Sequence, residues 1–205
     1  MNEAVKFDQQ HFDSLYPKVT FSRRGFIASS VATGFALAAG PVAAQTAINT
    51  PADGLEVGGA QIPVPGGNLP AYFAAPKKAG PYATVIVVPE IFGMHEYQLD
   101  ICRRLAKAGY YAITLDPFFR SGDLAKISEF KTVLGHANSL EDSNMLADLD
   151  ALVAWVERQP KANAKKLGIT GMCRGGRTVW MYTAHSKKIK AGVSWYGGLS
   201  PTPPA

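Results

Sequence analysis

Two cysteines (Cys102, Cys173) and four histidines (His11, His95, His136, His185) in 205 residues, at no metal-type spacing, leave neither a disulfide framework nor a zinc site to read. Charge of one sign is missing too. Lys and Arg number 21 against 16 Asp and Glu, a formal +5, and the basic residues are scattered with no run on one predicted face, so nucleic acid is not an expected partner. No Gly-x-Gly-x-x-Gly or Walker pattern occurs, and neither a nucleotide, another cofactor nor a metal is expected. No apolar run reaches the ~20 residues of a spanning helix, so a permanent membrane anchor is not expected. There is no internal repeat or low-complexity tract. What remains is ordinary globular composition, 47% hydrophobic and 18% charged with 20 Gly and 14 Pro, which suits one domain.

The N-terminus stands apart. Ser22-Arg23-Arg24-Gly25-Phe26-Ile27 leads into an apolar, small-residue run over 27–39, followed by Pro41 and Val42-Ala43-Ala44. Paired arginines, a short apolar run and a small-residue cleavage site make an export signal, and the arginine pair resembles the twin-arginine signal of bacterial folded-protein export. The expected organisation is a signal peptide over 1–44 that engages the export machinery, a linker over 45–54 and one α/β domain over 55–205. The expected location is periplasmic or secreted.

From residue 55 strands alternate with helices. Residues 55–64 and 69–75 alternate apolar and polar about Gly66-Gly67-Asn68, which predicts a hairpin. The β-branched run Thr84–Val88 predicts a strand buried on both faces. Tyr97, Ile101, Leu105 and Ala108 recur at helical spacing before a stop at Gly109. Tyr111–Leu115 predicts the next strand, and an irregular stretch that includes His136 follows. Ser139-Leu140-Glu141-Asp142 has the form of a capping box opening a helix with Met145, Leu149, Leu152 and Val156 on one face. A strand over 166–170, a helix from Arg174 and a strand over 191–196 complete a mostly parallel sheet covered on both sides, a three-layer α/β/α sandwich. Cys102 is expected as a small buried side chain. Trp155, Trp180, Trp195 and Tyr196 are expected to fill core or subsite walls.

The chemistry concentrates at Gly171-Met172-Cys173-Arg174-Gly175-Gly176. A cysteine between strand and helix, with glycine two residues to either side, has the form of a nucleophile elbow with Cys in place of Ser. The small neighbours let strand and helix approach. The helix N-terminus favours a thiolate at Cys173 and aims the Arg174 N–H where an oxyanion would form. The plain alternative, a buried cysteine in a glycine-rich turn, is disfavoured by the strand before and the helix after.

Three stretches together, Val88-Pro89-Glu90-Ile91-Phe92-Gly93, Asp116-Pro117-Phe118-Phe119-Arg120 and the elbow, resemble the dienelactone hydrolases (carboxymethylenebutenolidases) of the α/β-hydrolase fold, and their order and spacing cover most of 55–198. The resemblance implies a hydrolase of lactones or carboxylic esters that acts through a cysteine acyl-enzyme. It implies Cys173 as nucleophile, Glu90 beside the thiol in its activation, the Ile91 and Arg174 amides as the oxyanion hole and Arg120 as the fork for a substrate carboxylate.

The chain also departs from that pattern. After Cys173 it carries no Asp or Glu and one histidine, His185, twelve residues on and roughly 18 Å along the helix axis, out of reach of the thiol. By the resemblance the fold would lack its last strands, which carry the triad acid and histidine, and would end on a bare parallel edge. Two readings stay open: a cysteine hydrolase of which this is a shortened form, or a catalytically incomplete fragment that binds or is completed by a partner. A Cys173–His95 pair is the weaker third possibility.

Overall fold

The computed structural model describes residues 49–199 other than 123, 125, 126 and 128. All of them lie in the second of the two units into which the chain divides, Ile48–Ala205. The export signal expected over 1–44 therefore falls outside the described residues, and the linker expected over 45–54 does so up to residue 48. Among the described residues no helix is long and apolar enough to cross a membrane.

The elements follow in the order β1 (Leu55–Val64), β2 (Gly67–Pro76), β3 (Tyr82–Val88), α1 (Glu96–Lys107), β4 (Tyr111–Leu115), a 3-10 turn (Phe119–Ser121), α2 (Phe130–Ser139), α3 (Asp142–Val156), β5 (Ala162–Gly171), α4 (Arg174–His185) and β6 (Ile189–Ser194). They form one six-stranded sheet in the order β1-β2-β4-β3-β5-β6. The β1–β2 and β2–β4 pairs are antiparallel, and the pairs β3–β4, β3–β5 and β5–β6 are parallel.

Burial explains the elements. All five residues of β4 are buried, as a central strand with helices on both faces requires. On one face Cys102 and Ala106 of α1 pack against Leu55, Ala74, Val87 and Ala112. On the other, the predicted stripe Met145, Leu149, Leu152 and Val156 of α3, with Val179 and Tyr182 of α4, closes over Ile86, Ile113, Leu115 and Ile169. Cys102 is buried as expected.

Several expectations need correction. The hairpin turns at Pro65-Gly66, since Val64 already pairs with Gly67. The stretch holding His136 contains helix α2, where Val133 and Ala137 are the buried pair. Ser139 caps nothing on α3: it ends α2 with its hydroxyl on the His136 carbonyl (2.8 Å), and Glu141 is the N-cap residue of α3. Trp155 packs on the core as expected; Trp180, Trp195 and Tyr196 are exposed, Trp195 by 65%, so of the expected core or subsite-wall positions these three do not take the core. They lie on or next to α4 and β6, and among the described residues β6 is an edge strand, with five of its six residues exposed.

The lysines are not all scattered. Lys165, Lys187, Lys188 and Lys190 line one groove of about 920 Å³. Their gathering follows from parallel neighbours β5 and β6, which bring the starts of both strands to one end of the sheet. The linker docks as well: the Thr50 amide donates to buried Asp100, and Arg103 donates to Asn49 Oδ1 (3.0 Å), so residues 49–50 are fastened to α1.

Candidate active site

Cys173 sits between the last residues of β5 and the first turn of α4 at φ 56°, ψ −123°, a positive φ that a non-glycine side chain adopts only where its surroundings impose it. Those surroundings are visible in the glycines. A Cβ on Gly171 would stand 2.7 Å from the Gly175 carbonyl, and one on Gly175 would stand 2.3 Å from the Val88 carbonyl oxygen. Neither position has room for any side chain, so strand, turn and helix close on one another and present the cysteine at the tip. The Arg177 amide donates to the Cys173 carbonyl (3.1 Å) and opens the helix.

Sheet register brings the partners in. Val88 of β3 lies opposite Gly171 of β5. Two residues further along each chain stand Glu90 and Cys173, neighbours at the carboxyl ends of adjacent parallel strands, where ligands bind in open α/β sheets. Ile91 is buried one residue past Glu90.

The electrostatics differ from the sequence expectation at the thiol. Burial, the largest influence, holds the Cys173 thiol above its ordinary value; the Arg174 amide, donating to the sulfur, pulls it down, and the Glu90 carboxylate pushes it up again. The helix end acts as expected, but desolvation outweighs it and the resting group is a thiol. Tyr196 is near enough to feel both groups: burial first, then the charges of Cys173 and Glu90, hold its phenol above the usual range.

Arg174 also anchors the elbow through its side chain. Its guanidinium donates to the Leu140 carbonyl (2.6 Å) and faces Asp142 at 3.2 Å, while Arg177 donates to the other Asp142 oxygen at 2.6 Å and to the Gly198 carbonyl at 2.7 Å. Two arginines thus tie the α2–α3 junction to the first turn of α4.

Arg120 is committed elsewhere. Its two terminal nitrogens form a bidentate pair with Asp148 of α3, at 2.7 and 2.8 Å, and two of its N–H groups reach the Pro65 carbonyl in the hairpin turn. The guanidinium also lies over the Phe119 ring at 4.3 Å. Asp148 is 1% exposed. In this structure the fork is thus bidentate on a buried carboxylate, a structural contact that the substrate role expected of Arg120 would have to share.

His95 is drawn to Glu90, not to the thiol: its Nε2 lies 2.6 Å from Glu90 Oε1. Gln98 donates to the other oxygen, Glu90 Oε2. The His95 ring is flanked by Phe92 and Tyr97, with centroids at 6.5 and 6.4 Å. Gln98 is a site residue that sequence reasoning missed; the available signal was its place three residues after His95, in the first turn of a helix that begins just past Glu90. His185 ends α4 and pairs with Asp150 (2.9 Å), at the opposite end of the helix from Cys173. Among the described residues no group of His, Cys, Asp and Glu could hold a metal ion.

Residues 69–205 match the dienelactone hydrolase family. The chain is 49% identical over 187 residues to a protein of Methylorubrum extorquens provisionally named carboxymethylenebutenolidase, covering 91% of this chain and 64% of that one. A protein of the same provisional name from Escherichia coli K12 is 46% identical over 176 residues, 85% of this chain and 64% of its own. A crystal structure from Klebsiella pneumoniae, titled provisionally as a dienelactone hydrolase, superposes with a TM-score of 0.68 at 45% identity, over 72% of this chain and 62% of that one. The likeness carries the α/β-hydrolase fold. This chain spans just under two thirds of the length of these curated relatives.

Proposed function

The chain belongs to the dienelactone hydrolase family, and from that premise we propose that it acts in the hydrolysis of a lactone or carboxylic ester through an acyl-enzyme on Cys173. The observation that carries the reading is the strained Cys173 backbone at a strand–helix turn whose two flanking glycines admit no Cβ.

In this reading the thiol proton passes to Glu90 as substrate displaces the present contacts, and the sulfur attacks the carbonyl carbon. The S–C bond forms, the charge on the carbonyl oxygen is met by the Ile91 and Arg174 amides, and the C–O bond breaks as the leaving oxygen takes the proton back from Glu90. Water then adds to the thioester, the S–C bond breaks, the acid is released and the thiol is restored. For a lactone the leaving alcohol stays tethered to the acyl group. The resting thiol suits this order, because a protonated sulfur beside a carboxylate reacts only when that carboxylate takes its proton. Residues 1–44 support export to the periplasm or beyond, which fractionation of the source cells tests: unprocessed protein confined to the cytoplasm would sink it.

The direct test uses the 205-residue chain with an activated aryl acetate. Acylation of Cys173, read by peptide mass spectrometry and lost in Cys173→Ala, is the expected result. No adduct on Cys173, or an equal rate of ester cleavage in Cys173→Ala, would overturn the reading. An adduct that forms but is not cleared would support the second reading, a fold competent to acylate and incomplete for turnover.

A further inference from the structure

The strand that carries the elbow at one end enters a basic groove at the other. β5 runs ten residues from Ala162 to Gly171, about 30 Å, so its first residues stand a strand's length from Cys173. Leu167 pairs with Ile189 of β6. Lys165 lies two residues before the one, and Lys187 and Lys188 form the turn into the other, closed by the Ile189 amide on the Ser186 carbonyl (3.3 Å). With Lys190 they line the groove of about 920 Å³, in which Glu157 is the one acid. Residues 157–166 hold four Lys and Arg and residues 187–190 three, of 21 in the chain, against that single acid.

Only part of this charge is met. Lys188 pairs with Glu157 at 2.7 Å, and Lys161, beside the groove, with Glu56 at 2.6 Å. Among the described residues no carboxylate lies within ion-pair distance of Lys165, Lys187 or Lys190. The Lys190 ammonium donates to the Lys187 carbonyl at 3.2 Å, a contact that leaves its charge in place. The C-terminus of α4 accounts for Lys187 and Lys188, which follow it within three residues and complement its dipole. It does not account for Lys165 and Lys190, which lie on strands.

The lining also decides which anion fits. Its described residues include no arginine and no aromatic ring, so they offer neither a phosphate fork nor a platform for bases. They offer no large apolar side chain to seat in a bilayer either, and a groove receives a chain better than a plane. Lysine is a compact charge on a flexible stem, and it follows a row of carboxylates without demanding one geometry. The Asn163 side-chain oxygen accepts from the Lys165 amide (3.1 Å), which leaves its NH2 as a donor for a peptide carbonyl. We propose that this groove is a docking surface for an extended acidic segment, rich in Asp and Glu, of a partner protein. Because the groove lies at the far end of β5, the partner docks with the elbow open. The proposal is independent of the hydrolase reading, and its test needs no turnover.

The test is fluorescence anisotropy of a labelled twelve-residue peptide of alternating Glu and Ser, titrated with the 205-residue chain in about 50 mM salt, where screening is weak. Saturable binding that weakens about tenfold by about 200 mM salt is the expected result. Lys165→Glu and Lys190→Glu should each weaken it about tenfold, and Lys165→Gln and Lys190→Gln about threefold, while Lys131→Glu, an equal change of net charge on α2, stays within about twofold. All three lysines are exposed, and unchanged circular dichroism checks that each variant folds. Saturating peptide should leave the rate of Cys173 alkylation by iodoacetamide unchanged. Absence of binding in about 50 mM salt, an equal loss in Lys131→Glu, or protection of Cys173 by the peptide would each overturn the proposal. So would a preference, lost in Lys165→Glu, for oligo-dT or for phosphatidylglycerol vesicles over the peptide, which would make nucleic acid or a membrane surface the occupant. An ester that fails to acylate Cys173 counts against the hydrolase reading and leaves this result untouched.

Discussion

Replacement of Arg120 by methionine keeps most of the side chain's apolar volume and removes the guanidinium from Asp148. Asp148 is 1% exposed, and its two oxygens hold two charge-assisted hydrogen bonds, 2.7 and 2.8 Å long. Stranding a buried carboxylate costs about 3–5 kcal/mol. The Arg120 side chain is itself 28% exposed, so water reaches the vacated space and the lower end, about 3 kcal/mol, is the better figure. The Pro65 carbonyl also loses its donors, which frees the hairpin turn from α3. In a domain of this size 1 kcal/mol moves the thermal midpoint by about 2–4 °C, so Arg120→Met should melt about 6–12 °C below the parent. Arg120→Met with Asp148→Leu should recover more than half of that loss, because the stranded charge is gone. The assay is thermal unfolding by circular dichroism, with urea titration for the free energies. A loss below about 1 kcal/mol, or a double variant no better than the single, would refute the assignment of Arg120 as a strut and reopen it as a substrate group.

Three further outcomes follow from the packing and the titrating groups. Gly175→Ala places a Cβ 2.3 Å from the Val88 carbonyl oxygen, so strand and helix must part; the expected result is loss of Cys173 acylation with a lowered melting temperature, and a variant that acylates at the parent rate would contradict the elbow. Burial pushes the Cys102 thiol far up, so the folded chain keeps a proton that the unfolded chain gives up above about pH 8.5. That contribution to stability is whole below this pH and falls by about 1.4 kcal/mol per pH unit above it. Cys102→Ala should therefore flatten the alkaline slope of urea-unfolding free energy by about that amount, whatever its effect at pH 7, and an unchanged slope would contradict it. Val193 is 49% exposed on the open strand β6; Val193→Lys should lower self-association measured by light scattering, and an unchanged mass distribution would show that edge pairing does not occur.

How far the sequence could be read depended on whether the cause of a feature was local. β4 was legible because five buried residues in a row leave one kind of environment, and the face of α3 because Met145, Leu149, Leu152 and Val156 keep one period. Helix α2 was not legible: only Val133 and Ala137 are buried, and Gly135 and Asn138 weaken its propensity. Its last residue, Ser139, then passed for the cap of the next helix, since Ser-x-x-Asp reads alike whether the serine ends one helix or begins another. The Arg120 contact was not legible for a different reason. Its partner lies 28 positions away on α3, and no spacing rule carries that information.

The elbow was legible because its requirement is steric and contained in six residues, but its neighbours were set by register. Cys173 meets Glu90 because β3 and β5 run parallel with Val88 opposite Gly171, a pairing of segments some eighty residues apart. Once those strands are fixed, the short loop from Glu90 must turn at once into α1, and this brings the first turn of that helix, with His95 and Gln98, back onto the carboxylate it has just left. One side of Glu90 is therefore decided by long-range sheet pairing and the other by a local strand–loop–helix turn.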